Sequence, residues 1–108
     1  MNKIVNFPYN FGAIARLDSD NIVHNHIYNQ CPIGRVDDNN FIYDNNNNVV
    51  GRIDENGIVH NHYINNSPIG KVSEDGFIIK GNTVVGRIDG DNPLLAGAAY
   101  LLLIHGNR

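Results

Sequence analysis

The chain has no tryptophan, a single cysteine and a small excess of negative charge, and these shortages exclude several classes of protein. The lone Cys31 excludes an intramolecular disulfide and a cysteine-based zinc site. The net charge of -3 gives no electrostatic reason to expect binding to nucleic acid or to an anionic membrane. The first residues contain no long apolar run, so we expect no secretory signal and a cytoplasmic location.

Catalytic signatures are also missing from the sequence. It contains no glycine-rich phosphate loop and no Ser/His/Asp or Cys/His arrangement that chain order supports. Asp18-Ser-Asp20 and Asp89-Gly-Asp91 resemble the start of a calcium loop, but neither continues to the bidentate glutamate that such a loop needs. We therefore expect no catalytic residues and no cofactor, and a protein that is not an enzyme.

Glycine and asparagine are abundant, and they punctuate an internal repeat. Its marker is a small residue, then Arg or Lys, then an aliphatic residue, then usually an acid. The small residue recurs at intervals of 19, 17, 19 and 16 residues, at Ala15, Gly34, Gly51, Gly70 and Gly86. This alternation of intervals indicates a double unit of about 36 residues, the scale of a supersecondary repeat. We predict a single domain over residues 1–108, with the duplicated unit within residues 11–89.

Short aliphatic and aromatic runs alternate along the repeat with turns rich in Asn, Asp and Gly. Runs of this kind predict β-hairpins, with asparagine or glycine adopting a left-handed backbone in the turns. The expected fold is an all-β meander of about nine or ten short strands. The sequence leaves open whether this sheet is open, closed into a barrel or split into two layers.

Alternation along the strands assigns the two faces of the predicted sheet. Gly51 is expected to face the core, whereas Val50 and Arg52 are expected on the opposite face, as is the equivalent Ile69. The basic residue of each marker is expected to pair there with acids on neighbouring strands. The space over the strand glycines is expected to be filled by aromatic residues of the intervening strands, namely Phe41, Tyr63 and Phe77.

The C-terminal segment differs from the repeat. Asn92 and Pro93 form a helix-start signal, and Gly106 is placed to end the helix. Residues 94–105 are apolar almost all the way round, so one C-terminal α-helix is predicted over residues 92–105. It is too short to span a membrane. An all-apolar helix must be buried, and we expect it to cover an end or face of the sheet or to form a homo-oligomer.

Two His-Asn-His segments occur once in each double unit. In a strand, residues two apart point to the same side, so each segment offers two imidazoles in one direction. His24, His26, His60 and His62 are therefore candidate ligands for a transition metal such as zinc, nickel or copper. The alternative is a structural strand copied by duplication. The same letters resemble a nuclease motif, but that fold requires a ββα-metal unit, which predicted hairpins do not provide.

The repeated Gly-Arg-[Ile/Val]-Asp-x-x-Gly hairpins resemble those of poorly characterised β-repeat families. Residues 34–38 and 51–57 carry this likeness, which extends over most of the chain. The resemblance implies a repeat scaffold and no particular activity, and it includes neither the His-Asn-His segments nor the apolar tail.

Three functions are consistent with these observations. The first is a non-enzymatic β-repeat module that acts through protein–protein contact, as a homo-oligomer built through the C-terminal helix. The second is a metal-binding protein that uses the four histidines. The third is a glycan or small-ligand binder that uses exposed tyrosines, namely Tyr28, Tyr43 and Tyr63.

Overall fold

The computed structural model describes residues 1–7 and 12–105 and contains ten strands and a C-terminal helix. The strands are β1 (Asn2–Asn6), β2 (Ala13–Leu17), β3 (Ile22–His24), β4 (Pro32–Val36), β5 (Phe41–Asp44), β6 (Val49–Ile53), β7 (Ile58–His60), β8 (Pro68–Val72), β9 (Phe77–Lys80) and β10 (Thr83–Asp89). Each strand pairs antiparallel with its neighbours in sequence, and β1 pairs with β10 to close the barrel. The predicted all-β meander is therefore confirmed, and its sheet is closed.

The barrel has two unlike ends. At one, the turn end, four-residue turns join β2 to β3, β4 to β5, β6 to β7 and β8 to β9. At the other, the mouth, β1, β3, β5, β7 and β9 finish and the strands that follow them begin. Among the connections that the structure describes in full, the two longest lie at the mouth, loop A (residues 25–31) and loop B (residues 61–67).

A recurring aspartate organises the turns. The Oδ1 atom of Asp54 accepts hydrogen bonds from the backbone N–H groups of Asn56 at 2.9 Å and Ile58 at 3.0 Å. Asp18 and Asp37 make the same pair of bonds in their own turns. The last residue of each four-residue turn has positive φ, as predicted for asparagine and glycine; these residues are Asn21, Asn40, Gly57 and Gly76.

The helix lies inside the barrel. Helix α1 (Pro93–Ala99) begins at the turn end and continues into a π-helical segment (Tyr100–Ile104) that ends at the mouth. Residues 95–102 are all buried, and α1 contacts β1, β4, β5, β6, β8 and β10, which lie on different sides of the ring. The burial of this helix is thus as predicted, but it fills the lumen rather than covering an end or a face.

The start of the helix follows the predicted signal only in part. Asn92 is the N-cap and Pro93 the first helical residue, but the Asn92 side chain makes no capping hydrogen bond. The backbone N–H of Asn92 instead donates to Asn2 Oδ1 at 2.8 Å, which ties the helix start to β1. The predicted terminator, Gly106, lies outside the described residues.

The strand glycines make room for the helix. A Cβ atom placed on Gly34 would lie 2.7 Å from Leu103 Cδ1, and one on Gly51 would lie 2.7 Å from Leu102 Cδ1. A Cβ atom on Gly70 would lie 3.0 Å from Leu101 Cδ1. The prediction that Tyr63 and Phe77 fill this space is therefore wrong, since both are exposed on the outside. Helix side chains fill it instead.

Successive helix residues thus point to alternate strands of the ring. A Cβ atom on Gly86 of β10 would lie 3.6 Å from Tyr100 Cε2, so residues 100–103 face β10, β8, β6 and β4 in turn. Alternate strands of a ten-stranded barrel are about 72° apart. An α-helix turns by about 100° per residue, and the wider π-helix turns by less. The segment is π-helical, with a hydrogen bond from His105 N–H to Tyr100 O at 2.8 Å. Its rotation per residue is therefore closer to the angle between alternate strands than the rotation of an α-helix would be.

Simple alternation fails at one position of every repeat. The register shifts by one residue just before each small marker residue, which leaves an extra residue in the even-numbered strand. Such a bulge re-aims side chains. Val50 and Ile69, predicted to share the outer face with the basic residues, instead pack against the core. The bulged residues are Ile14, Ile33, Val50, Ile69 and Val85, and all five pack in this way.

Candidate binding site at the mouth of the barrel

The mouth contains an open cavity of about 740 Å³. Its floor is formed by helix residues 101–103 and by three bulged residues, Ile33, Val50 and Ile69. The bulges are what bring these three strand residues to the floor, because strict alternation would turn them outward. Binding pockets for small ligands have volumes of about 300–1,000 Å³ and mostly apolar walls. The cavity has the volume of a binding pocket, and its walls combine six aliphatic residues with four polar ones.

Four polar residues, Asp44, Asn61, Lys80 and His105, also line the cavity. Asp44 is already engaged, because its Oδ1 accepts the N–H groups of Asn46 at 2.9 Å and Asn48 at 3.0 Å. The side chain of Lys80, at the end of β9, makes no hydrogen bond or ion pair with any of residues 1–7 and 12–105. Within the described part of the chain, the Lys80 ammonium is thus the uncommitted charge of the mouth.

Charge is distributed unevenly between the two ends. Every acidic residue except Asp44 lies in or beside a connection at the turn end. Arg16 and Arg52, in contrast, extend toward the loops at the mouth. Arg16 Nη1 donates to the backbone oxygens of residues 26 and 29, at 2.7 and 2.9 Å. The mouth is therefore the less acidic end of the molecule.

Buried histidines anchor the two mouth loops. His60 is 4% exposed; its Nε2 lies 2.9 Å from Asp54 Oδ2, and its Nδ1 accepts the Ser67 N–H at 3.0 Å. Because Nδ1 accepts a backbone proton, the ring proton is on Nε2 and is donated to the carboxylate. His24 makes the equivalent contacts with Asp18 at 2.8 Å and with the Cys31 N–H at 3.2 Å. Each imidazole thus ties the end of its loop to a turn aspartate.

The second histidine of each segment shapes the inside of its loop. His26 Nδ1 accepts the N–H groups of Tyr28 and Asn29, both at 3.0 Å. His62 Nδ1 accepts those of Ile64 at 3.0 Å and Asn65 at 2.9 Å. The histidines of these segments therefore have a structural role that the sequence pattern did not reveal.

The basic residues of the repeat complete the loops. Arg52 Nη2 donates to the backbone oxygens of Ile64 at 3.0 Å and Asn65 at 3.2 Å in loop B. Arg35 stacks on the Tyr43 ring at 3.8 Å from its centroid and donates to Asn47. The expected pairing of these residues with acids on neighbouring strands is therefore wrong. Among the described residues, Arg87 is the basic residue of the repeat marker that forms an ion pair with a carboxylate, and its partner is Asp89 of the same strand.

The braced loops expose large side chains to solvent. Tyr28 in loop A is 84% exposed, and in loop B Tyr63 is 54% and Ile64 66% exposed. The Tyr63 ring is held against His62, with centroids 4.8 Å apart. Exposed aromatic and aliphatic residues on an ordered backbone are the usual anchors of protein contacts. Of the three tyrosines proposed for ligand binding, Tyr43 is instead committed to structure, because its hydroxyl donates to Asp37 at 2.8 Å.

The four candidate metal ligands do not share one site. His24 and His60 lie on β3 and β7, which are separated by three strands of the ring, and both ring nitrogens of each are already hydrogen-bonded. Within residues 1–7 and 12–105, no three His, Cys, Asp or Glu side chains form a group that could hold a metal ion. Transition-metal binding by His24, His26, His60 and His62 stays a prediction, which elemental analysis of untagged protein checks.

Replacing His60 by alanine is expected to lower the free energy of unfolding by about 2–4 kcal/mol. The substitution leaves a cavity and removes the partners of Asp54 and of the Ser67 N–H. Urea unfolding gives the stability, and hydrogen exchange of the Ser67 amide reports the loop. His62→Ala is the matched control, with an expected loss below about 1 kcal/mol because His62 is partly exposed. Equal losses in the two variants would contradict the anchoring role.

The turn aspartates make stability depend on pH. Burial raises the pKa of Asp54, but hydrogen bonds from His60 and the Ile58 N–H outweigh it, so the pKa lies below its ordinary value. Burial also raises the pKa values of Asp18 and Asp37, but hydrogen bonds again outweigh it. The pKa of Asp18 is lowered by backbone N–H groups and His24, and the pKa of Asp37 is lowered by backbone N–H groups and Tyr43. A carboxylate with a lowered folded-state pKa stabilises the fold above its unfolded pKa, and this contribution is lost as pH falls through the folded value.

We therefore expect the stability difference between the wild type and Asp54→Asn to shrink as pH falls below about 4. Asparagine keeps the turn acceptor but loses the charge. Urea unfolding at a series of pH values measures the difference. Asp75→Asn, at an exposed turn position, is the control whose difference from wild type is expected to stay constant. The same pH dependence in both variants would refute the assignment.

Within the described residues, no helix is both long and apolar enough to cross a membrane. In comparisons with known proteins, no family model, no curated protein and no solved structure matches this chain significantly.

Proposed function

We propose that this protein is a non-enzymatic β-repeat module that binds a partner polypeptide at the mouth of its barrel, in the cytoplasm. One observation supports this most directly: the cavity with its aliphatic floor and the exposed tips of loops A and B belong to the same end of the molecule. The turn end, by contrast, is acidic and built of short turns. A partner that contacts both the cavity and the loops would bury aromatic and aliphatic side chains together.

The bracing of the loops also favours binding. Ordering a flexible loop on association costs free energy, which an already ordered loop avoids. Loops A and B each have a histidine that ties their end to the barrel and a second that accepts two internal N–H groups. The exposed tyrosines are therefore presented on a backbone whose entropy has already been reduced.

Site-specific photo-crosslinking in cells tests this proposal. A benzophenone amino acid replaces Tyr28 or Tyr63 at the mouth, and Asp38 at the turn end serves as the matched exposed control. We expect both mouth positions to capture the same polypeptide, identified by mass spectrometry, and the turn-end position not to capture it. Equal capture at all three positions, or different polypeptides at the two mouth positions, would refute the proposal.

A homo-oligomer is the simplest form of such an interaction. Because residues 95–102 are buried in the chain's own barrel, contact through the C-terminal helix would use its last residues, Leu103 and Ile104, which remain partly accessible. Light scattering coupled to size exclusion is expected to give a mass above the 12.0 kDa of one chain, and a Leu103→Glu substitution is expected to return the mass to that of one chain. A sharp monomer peak from the wild-type protein would exclude the homo-oligomer but not a different partner.

A further inference from the structure

We infer that the mouth receives the carboxy-terminal tail of a partner polypeptide, with aliphatic side chains on the cavity floor and the terminal carboxylate paired with Lys80. This inference rests on the proposed function and names the part of the partner that the site recognises. It depends on how apolar surface and free charge are combined in one cavity.

The floor of the cavity selects for aliphatic side chains. It is made by three leucines of the helix and by Ile33, Val50 and Ile69, with no aromatic side chain among these six residues. The three bulged residues are only partly buried and so keep accessible apolar surface. Burying this surface together with a ligand stabilises a complex by about 25 cal/mol per Å² before the costs of association.

The charge at the cavity selects for an anionic group. The Lys80 side chain makes no hydrogen bond or ion pair within residues 1–7 and 12–105, whereas the carboxylate of Asp44 accepts hydrogen bonds from two backbone N–H groups. Asp44 is therefore the acidic side chain of the cavity, and all other acids lie at the opposite end of the barrel. Lys80 is exposed, so its ammonium is accessible to a ligand carboxylate and can donate a charge-assisted hydrogen bond to it.

The loops favour a polypeptide over a free small molecule. The exposed residues Tyr28, Tyr63 and Ile64 lie in the connections that follow β3 and β7, at the same end as the cavity. A small carboxylate would occupy the floor without needing them. A polypeptide whose last residues enter the cavity continues outward past the loops, so that both surfaces contribute to its binding.

Fluorescence anisotropy with short dye-labelled peptides tests the inference. The probes end in Leu-Val-Leu, Val-Ile-Val or Leu-Ile-Leu and are made with a free carboxylate or with a carboxamide. We expect at least one free-carboxylate peptide to bind and its amide to bind about tenfold more weakly, as for the loss of one charge-assisted hydrogen bond. Equal affinity of acid and amide, or binding by no free-carboxylate peptide, would overturn the inference.

Three variants locate the contacts. Lys80→Ala is expected to weaken the free-carboxylate peptide about tenfold and to leave the amide unchanged, and Lys80→Arg is expected to restore binding. Lys71→Ala, an exposed lysine on β8, is the control and is expected to have no effect. Val50→Thr, on the floor, is expected to weaken acid and amide alike. A Lys80→Ala variant that binds the free acid as the wild type does would also overturn the inference.

Competition with octanoate distinguishes a tail from a small carboxylate. We expect octanoate to displace the labelled peptide only weakly, because it makes no loop contacts. Displacement as strong as that by unlabelled peptide would show that the cavity alone recognises the ligand, and would overturn the assignment to a polypeptide tail. If peptides fail but crosslinking still gives one partner from Tyr28 and Tyr63, the proposed function stands and this inference does not.

Discussion

Replacing Gly51 by alanine is expected to lower the free energy of unfolding by about 3 kcal/mol, a large part of the stability of a domain of this size. The added methyl group would lie 2.2 Å from the backbone oxygen of His60 and 2.7 Å from Leu102 Cδ1. The oxygen belongs to the neighbouring strand and cannot move without breaking the barrel ladder. The helix would therefore have to shift and the β6–β7 pair would have to open. Urea unfolding measures the loss.

Gly81→Ala is the matched control for this substitution. Gly81 has φ +65°, so alanine there is strained, but no atom lies within 4 Å of the added methyl group. The expected loss is about 1 kcal/mol, from the left-handed backbone alone. If Gly51→Ala costs no more than Gly81→Ala, the helix is not packed against β6 as described.

The second large effect is expected inside the helix. Gly97→Ala should gain about 1 kcal/mol from helix propensity. Its methyl group, however, would lie 2.6 and 2.7 Å from the two Cγ atoms of Val72 on β8. Valine is stiff about χ1 and its Cγ atoms cannot swing away. We therefore expect a net loss of about 1–3 kcal/mol, measured by urea unfolding.

A double-mutant cycle isolates this contact. Val72→Ala alone leaves a cavity and is expected to cost about 2 kcal/mol. In the double variant the methyl group added by Gly97→Ala occupies the vacated space, so the combined loss should be at least about 1 kcal/mol smaller than the sum of the single losses. Val36→Ala, at the equivalent buried position of β4, is the control partner and should give additive losses. Additivity with Val72 would refute the packing of α1 on β8.

The all-β meander can be predicted from local patterns, because hairpin turns and apolar alternation depend on residues that are close in sequence. The aspartates and the left-handed residues of the turns are examples. Closure of the barrel was not predictable, since it depends on the pairing of β1 with β10 across the whole chain. The helix was recognised from its composition, but its lumenal position depends on the match between Leu101–Leu103 and strand glycines, which no local pattern displays.

The mouth was harder to predict than the strands. The bulges turn the side chains of Val50 and Ile69 from the outer face toward the core. A one-residue shift in register does not change the amino-acid composition of a strand, so composition cannot reveal it. The sequence identifies the histidines as a feature that occurs once in each double unit, but their hydrogen bonds depend on the folded backbone. His60 and Ser67 lie seven residues apart, at the two ends of loop B. Only the folded backbone shows that the Ser67 N–H group donates a hydrogen bond to His60 Nδ1.

The closure of the ring has a kinetic consequence. Every strand pair except β1–β10 joins neighbours in sequence, so most of the sheet forms through short loop closures that are rapid for a β-protein. The β1–β10 pair joins residues eighty or more positions apart, and the helix follows β10 in sequence. Joining β1 to β10 and seating the helix are therefore the slow events on the folding path. Until they are complete, an open meander exposes two unpaired edges and an unoccupied row of glycines.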